Sequence, residues 1–199
     1  MNRASRFASV ALAALALVGA NVASATTVMK FSMKDLAVKS SAVVVGRVED
    51  VVARYDTNKE IYTYITIRVS DSVKGSHKDD VITIRQLGGV VDHIASVVPG
   101  MPTFKKGEEV VVFLSQKDKE GYPWVMGLQQ GKYTISEDQN GTKRVRNELQ
   151  GTSLIDASGK AVDGSKMASD QPLQAFLAGI RTDLDAAGKM QVDPSVPTE

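Results

Sequence analysis

The chain of 199 residues has no cysteine and only two histidines, His77 and His93. Without cysteine there is no disulfide, no thiol nucleophile, no cysteine-ligated zinc and no iron–sulfur cluster, so the fold rests on its core alone. Two separated histidines make a poor ligand set, and His77 lies in the lysine-rich turn "KGSHKDD" (Lys74 to Asp80). An excess of either charge is also missing, with 24 Lys and Arg against 23 Asp and Glu. That balance offers no electrostatic footprint for nucleic acid or an anionic membrane surface. No HExxH helix and no Gly-x-Ser-x-Gly elbow is present, and no Gly-Lys-Ser/Thr follows Gly88-Gly89. The metalloprotease motif, the α/β-hydrolase elbow and the phosphate loop are therefore absent, while the many serines leave a Ser-His-Asp triad open by counting alone.

What is present begins with an export signal. Arg3 and Arg6 precede the apolar run "FASVALAALALVGA" (Phe7 to Ala20), which is too short to span a bilayer. "ASA" (Ala23 to Ala25) follows with the small-x-small pattern of a signal peptidase site. Residues 1–25 thus read as a signal peptide, and the product as exported to the periplasm or the medium. The absence of cysteine argues against lipid anchoring, and no later run is long enough for a transmembrane helix. Residues 26–187 are expected to form one domain and residues 188–199 a loose tail.

"SMKDLAVKSS" (Ser32 to Ser41) predicts a short helix, with Ser32 as N-cap, Asp35 three residues on, and Met33, Leu36 and Ala37 facing the core. "AVVVGRVEDVV" (Ala42 to Val52) predicts a strand whose Gly46 marks a bend, a bulge or close packing. In "IYTYITIRVSDSVKG" (Ile61 to Gly75) alternation turns Ile61, Thr63, Ile65, Ile67 and Val69 inward, and Tyr62, Tyr64, Thr66 and Arg68 outward. "VITIRQL" (Val81 to Leu87) alternates likewise, and the continuous apolar run of "EVVVFL" (Glu109 to Leu114) predicts burial on both faces. The segment from Gly88 to Gly107, with Pro99 and Pro102, reads as a long loop. "WVMGLQQGKYTI" (Trp124 to Ile135) supplies one or two short strands, and Asn140-Gly141 marks a hairpin. "DASGKAVDG" (Asp156 to Gly164) reads as a hairpin turn rather than a calcium loop, for it lacks the terminal glutamate. Leu173, Phe176, Leu177, Ile180 and Leu184 recur at helical spacing, with Asp170 as the expected N-cap and Gly188 as the stop. The expectation is an all-β, OB-like barrel of five to six strands, with a short N-terminal helix and a C-terminal amphipathic helix.

The order of these pieces resembles a netrin-type domain, the OB-fold barrel of tissue inhibitors of metalloproteases. The matching positions are Ala42, Val43, Val44, Val48, Ile61, Tyr62, Thr63, Lys74 and Gly75. The chain is more closely similar to uncharacterised secreted bacterial proteins and to a non-catalytic module beside some matrixin-type metalloproteases. Those carry "VGRV", "IYT", "KG", "GG", "PGMPTFKKGEEVVVFL" and "QGKY" in this order, found here between Gly46 and Tyr133. The resemblance covers roughly Ser40 to Ile135, a little over half of the mature chain. The eukaryotic inhibitors chelate the protease zinc through an N-terminal cysteine. Here the expected mature start is Thr26-Thr27, so the chain departs from that mode.

On an OB barrel the exposed face of strands 2 and 3 is a common ligand surface. Tyr62 and Tyr64 could stack on sugars or side chains there, and Arg68 and Arg85 could hold carboxylates. A tyrosine also suits any half-exposed strand, because it is broad, apolar and tipped with a hydroxyl. Trp124, on a Gly-Tyr-Pro-Trp loop, is a second exposed aromatic or a plug for a barrel end. His93, beside Asp92, is the remaining surface candidate. No catalytic residue, metal ligand or cofactor is assigned. The leading expectation is a non-catalytic module that binds a protease or another exported protein through this face and the 88–107 loop. A structural component of the envelope or matrix is the alternative, and a hydrolase with an unrecognised site is the least favoured.

Overall fold

The computed structural model describes residues 28–149, 153–156, 158–164 and 170–191. The expected signal peptide and residues 192–199 of the expected tail lie outside the described residues.

Strand β1 (Val28–Met29) leads into helix α1 (Met33–Lys39). Ser32 caps α1 as its sequence predicts. Its Oγ accepts the Asp35 N–H at 3.0 Å, and the Asp35 carboxylate accepts back from Ser32, which completes a capping box. Leu36 and Ala37 are buried. The two longest strands follow, β2 (Ala42–Tyr55) and β3 (Ile61–Lys74), paired antiparallel with register shifts at three places. One shift falls at Val45/Gly46, where a Cβ on Gly46 would lie 2.5 Å from Ile67 Cγ2 and 2.6 Å from the Arg68 carbonyl oxygen. Close approach of β3 is therefore what requires glycine at this bend.

Strand β4 (Val81–Leu87) is followed by a feature the sequence reading missed. The expected loop contains a hairpin of β5 (Gly89–Val91) and β6 (Ile94–Ser96), turning at Asp92 and His93. Three-residue strands are too short for alternation to announce them. Next come β7 (Glu109–Leu114), β8 (Lys132–Glu137), β9 (Lys143–Arg146), β10 (Ser153–Ile155), β11 (Ala161–Asp163) and β12 (Asp170–Pro172). Helix α2 (Leu173–Gln191) ends the described chain. Between β7 and β8, Val125 makes one bridge to Leu114, and a single 3-10 turn spans Leu128–Gly131.

Seven strands form one antiparallel sheet in the order β12-β9-β8-β7-β2-β3-β4. A smaller sheet has the order β1-β10-β11. The fold is mostly β. Among the described residues no ladder joins β4 to β12, so the large sheet is open and the expected barrel is not closed.

The sheet is buried on both sides at its centre. On one face Val43, Val45, Val111, Phe113, Tyr133, Ile135 and Val145 meet α1 and the Leu173, Phe176, Leu177 and Ile180 stripe of α2. On the other, Val44, Val48, Ile65, Ile67, Val69, Ile84, Val110 and Val112 close around Phe104 and Val125. Two-sided burial is why the β7 run reads as uninterrupted. The expected inward stripe of β3 is buried at Ile61, Ile65, Ile67 and Val69, with Thr63 partly so.

Two expectations at the C-terminus are corrected. Asp170 is not the α2 N-cap: it opens β12, which pairs with β9, and its carboxylate accepts from Arg144 Nε at 2.8 Å. Strand pairing here gives the backbone a ladder that a helical start would lack. Nor does Gly188 stop the helix, which runs on to Gln191, so the tail expected from residue 188 begins in helix. A glycine in a helix costs only about 1 kcal/mol, which the preceding packed turns offset.

Candidate functional site

The outer face of β2, β3 and β4 brings Tyr62, Tyr64 and Arg85 together. Register places Tyr62 opposite Arg54 on β2 and Leu87 on β4, and Tyr64 opposite Val52 and Arg85. The cations reach diagonally rather than straight across. Arg54 Cζ lies 3.9 Å from the centre of the Tyr64 ring, and Arg85 Cζ lies 4.6 Å from that of Tyr62. Long side chains span such diagonals easily, and guanidinium planes stack well on aromatic faces.

The Ser115–Pro123 loop closes over this face. Tyr122 meets Tyr64 edge to face, with centroids 5.3 Å apart and planes at 76°. Asp118 organises the loop: its Oδ1 accepts the N–H groups of Glu120 and Tyr122, both at 2.9 Å. Its other oxygen accepts from Arg85 Nη2 at 2.8 Å, and Glu120 pairs with Arg85 Nη1. Arg85 is therefore held by two carboxylates and two tyrosines, and is only 16% exposed. Its role differs from the expected carboxylate-binding one, for both its partners come from this chain. The little-exposed Arg85–Asp118 pair ties the loop to the sheet, and Glu120 adds a more exposed contact.

Beside this cluster lies an open groove of about 610 Å³, lined by Arg54, Tyr55, Asp56, Tyr64, Glu120 and Tyr122. Arg54 has no carboxylate partner among the described residues and Tyr55 is 41% exposed. Asp56 is occupied in its own turn, where Oδ1 accepts from the Asn58 and Glu60 N–H groups at 2.8 Å. Tyr62 donates its hydroxyl to Glu60 at 3.3 Å. Burial, then the neighbouring Glu60 carboxylate, raises its ionisation above the ordinary tyrosine value. Arg54 and Tyr122 are the members sequence reading missed. Arg54 lies near the end of β2, beyond the Ala42–Val52 stretch that the sequence pattern marks as strand, and Tyr122 reaches β3 only through loop closure.

The other expected residues lie elsewhere. Arg68 points from the same face but is engaged with Glu49, its Nε 2.5 Å from Oε1, and this partner raises its ionisation further. It sits four residues along β3 from Tyr64, a displacement of about 13 Å. His93 turns the β5–β6 hairpin beside Asp92, whose φ is +53°. Trp124 is 47% exposed, and its backbone N–H donates to Ser115 Oγ at 3.0 Å. On and beside the hairpin Val90, Ile94 and Val97 are exposed, with Val90 and Ile94 on opposite faces of the ribbon because Val90 pairs with Ala95 and Ile94 with Val91. Among the described residues no group of three His, Cys, Asp or Glu side chains converges as metal ligands, and no helix is long and apolar enough to cross a membrane.

Compared with known proteins, the chain matches no family model, no curated protein and no solved structure.

Proposed function

We propose that the chain is an exported, non-catalytic binding module that takes another exported protein on the outer face of β2, β3 and β4. The carrying observation is the groove in which an arginine without a carboxylate partner stands among three tyrosines, Tyr55, Tyr64 and Tyr122. Such a surface suits a partner that brings a carboxylate to Arg54 and an aromatic or aliphatic side chain onto the rings. Arg85, neutralised within the chain, preorganises the groove. The N-terminal Arg3, Arg6, Phe7–Ala20 and Ala23–Ala25 pattern supports export.

The finer architecture belongs to the same reading. An OB-like, netrin-like barrel needs the strand after β7 to return to β4. The Leu114–Val125 bridge and the bond from the Arg85 N–H to the Pro123 carbonyl at 3.1 Å support such a return. A second reading, assembly of copies into an envelope or matrix structure, is favoured by the exposed apolar side chains that the hairpin presents, Val90 on one face and Ile94 on the other.

Affinity capture from periplasm and medium, with the mature chain and an Arg54→Ala/Tyr64→Ala double variant of equal melting temperature, separates the two. A partner held by the first and lost by the second is expected. Capture that ignores the substitutions refutes the groove. Concentration-dependent oligomers abolished by Ile94→Lys would favour assembly instead.

A further inference from the structure

Strand β4 is the terminal strand of the large sheet, and the direction of its backbone groups follows from three bonds. The Gly88 N–H donates to the Ile61 carbonyl at 2.8 Å, and the Asp80 carbonyl accepts from the Val69 N–H at 2.9 Å. Even-numbered residues of this segment therefore face β3. Backbone direction alternates along an antiparallel strand, so the N–H and C=O groups of Val81, Thr83, Arg85 and Leu87 point away from the sheet. The Arg85 N–H agrees, since it donates to Pro123 outside the sheet. Among the described residues the outward groups of Val81 and Thr83 have no backbone partner.

Edge strands are ordinarily guarded by lysine, proline or a covering segment. The β4 edge has no lysine or proline, and Val81 is 52% exposed. Among the described residues its cover is the loop that crosses at Arg85. Beside Val81 the cover stops and a recess of about 310 Å³ opens, lined by the apolar Ala42, Val81 and Leu114 and, in about equal measure, by polar side chains such as Ser76, Asp80 and Ser115. One wall is the free edge, and the other is the end of β7 with the loop that follows it. A recess walled on both sides admits one extended chain and not the broad edge of a second sheet.

We propose that the Val81–Thr83 edge accepts one extended peptide segment of another protein, added as a short strand beside β4. Its backbone would satisfy the outward groups of Val81 and Thr83. Its inward side chains would be small, of the threonine or valine kind, to fit a lining that mixes Ala42, Ile82 and Leu114 with Ser76, Asp80 and Ser115. This site is distinct from the tyrosine groove and does not rest on it. Backbone pairing supplies affinity in such additions, and side-chain alternation supplies selectivity.

The test uses the mature chain and a capped heptapeptide of alternating threonine and valine with a lysine at each end. Amide hydrogen exchange and NMR shifts are read residue by residue. Without peptide, the Val81 and Thr83 amides exchange fast while Ile82 and Ile84 are protected. With peptide, Val81 and Thr83 become protected. A peptide N-methylated at alternate residues binds at least about tenfold more weakly, since it loses backbone donors. Thr83→Ala binds like the parent, because only the backbone is used, while Thr83→Pro does not bind. The proposal is overturned if millimolar peptide protects neither amide, or if the N-methylated peptide binds equally well. Protection of both amides that grows with protein concentration alone also overturns it, by showing the edge paired with a second copy.

Discussion

Removing the Asp118 carboxylate is expected to release the 115–123 loop from the sheet without unfolding the protein. The side chain does two separable things: it accepts two loop N–H groups and it holds Arg85. In Asp118→Ala both are lost. The loop bonds contribute about 1 kcal/mol together and the charged bond to Arg85 about 1.5 kcal/mol, because Glu120 remains as a second counterion. The sum, roughly 2–3 kcal/mol, corresponds to a fall in melting temperature of about 5–10 °C for a chain of this size. Asp118→Asn keeps an oxygen for the loop and loses only the charge, so about half of that cost is expected. Urea unfolding measures the stabilities. Trp124, the only tryptophan, lies next to the loop and reports its release by fluorescence. Asp118→Ala should also weaken partner capture, because Tyr122 no longer stands against Tyr64. Parental stability and fluorescence in both variants would refute the reasoning. Equal losses in the two would show that charge alone holds the loop.

Two further outcomes follow from the fold. Gly46→Ala sets a methyl group against the Arg68 carbonyl oxygen, which backbone pairing prevents from moving aside, and should cost about 1–3 kcal/mol by urea unfolding; an unchanged midpoint contradicts the packing described. Stability should also bend at both ends of the pH scale. Asp35, Asp80, Asp156 and Asp170 are held below the ordinary 3.8 by hydrogen bonds from Ser32, His77, Ser158 and Arg144 respectively. Lowered carboxylates contribute stability above that value and lose it as pH falls through their folded values, so melting temperature should fall below about pH 4. Burial raises the Tyr133 hydroxyl far above its ordinary 10.0, so stability should also drop as pH rises past about 10, where the unfolded tyrosine ionises first. Melting temperatures rising toward either extreme would contradict these signs.

What the sequence determined by itself is what short-range physics writes into it. Alternation in Ile61–Val69 reports which side chains meet the core, because a strand turns successive side chains to opposite faces. Ser32 with Asp35 announces a helix start, and Asn140-Gly141 a turn, because each satisfies its own backbone locally. The lack of cysteine leaves the work to the two apolar layers. Tertiary structure alone decided the candidate surface. Tyr62 and Tyr64 were legible as outward residues, but the loop that carries Tyr122 and Asp118 reaches them across more than fifty residues of chain. The same closure turned Arg85 from a free cation into a neutralised post and left Arg54 as the available one. It also drew Asp170 into strand β12, where sequence pattern alone read a helix cap. The β5–β6 hairpin stayed hidden because its strands are too short to show a period. Loop closure and charge pairing depend on which distant residues become neighbours, and no local period records that.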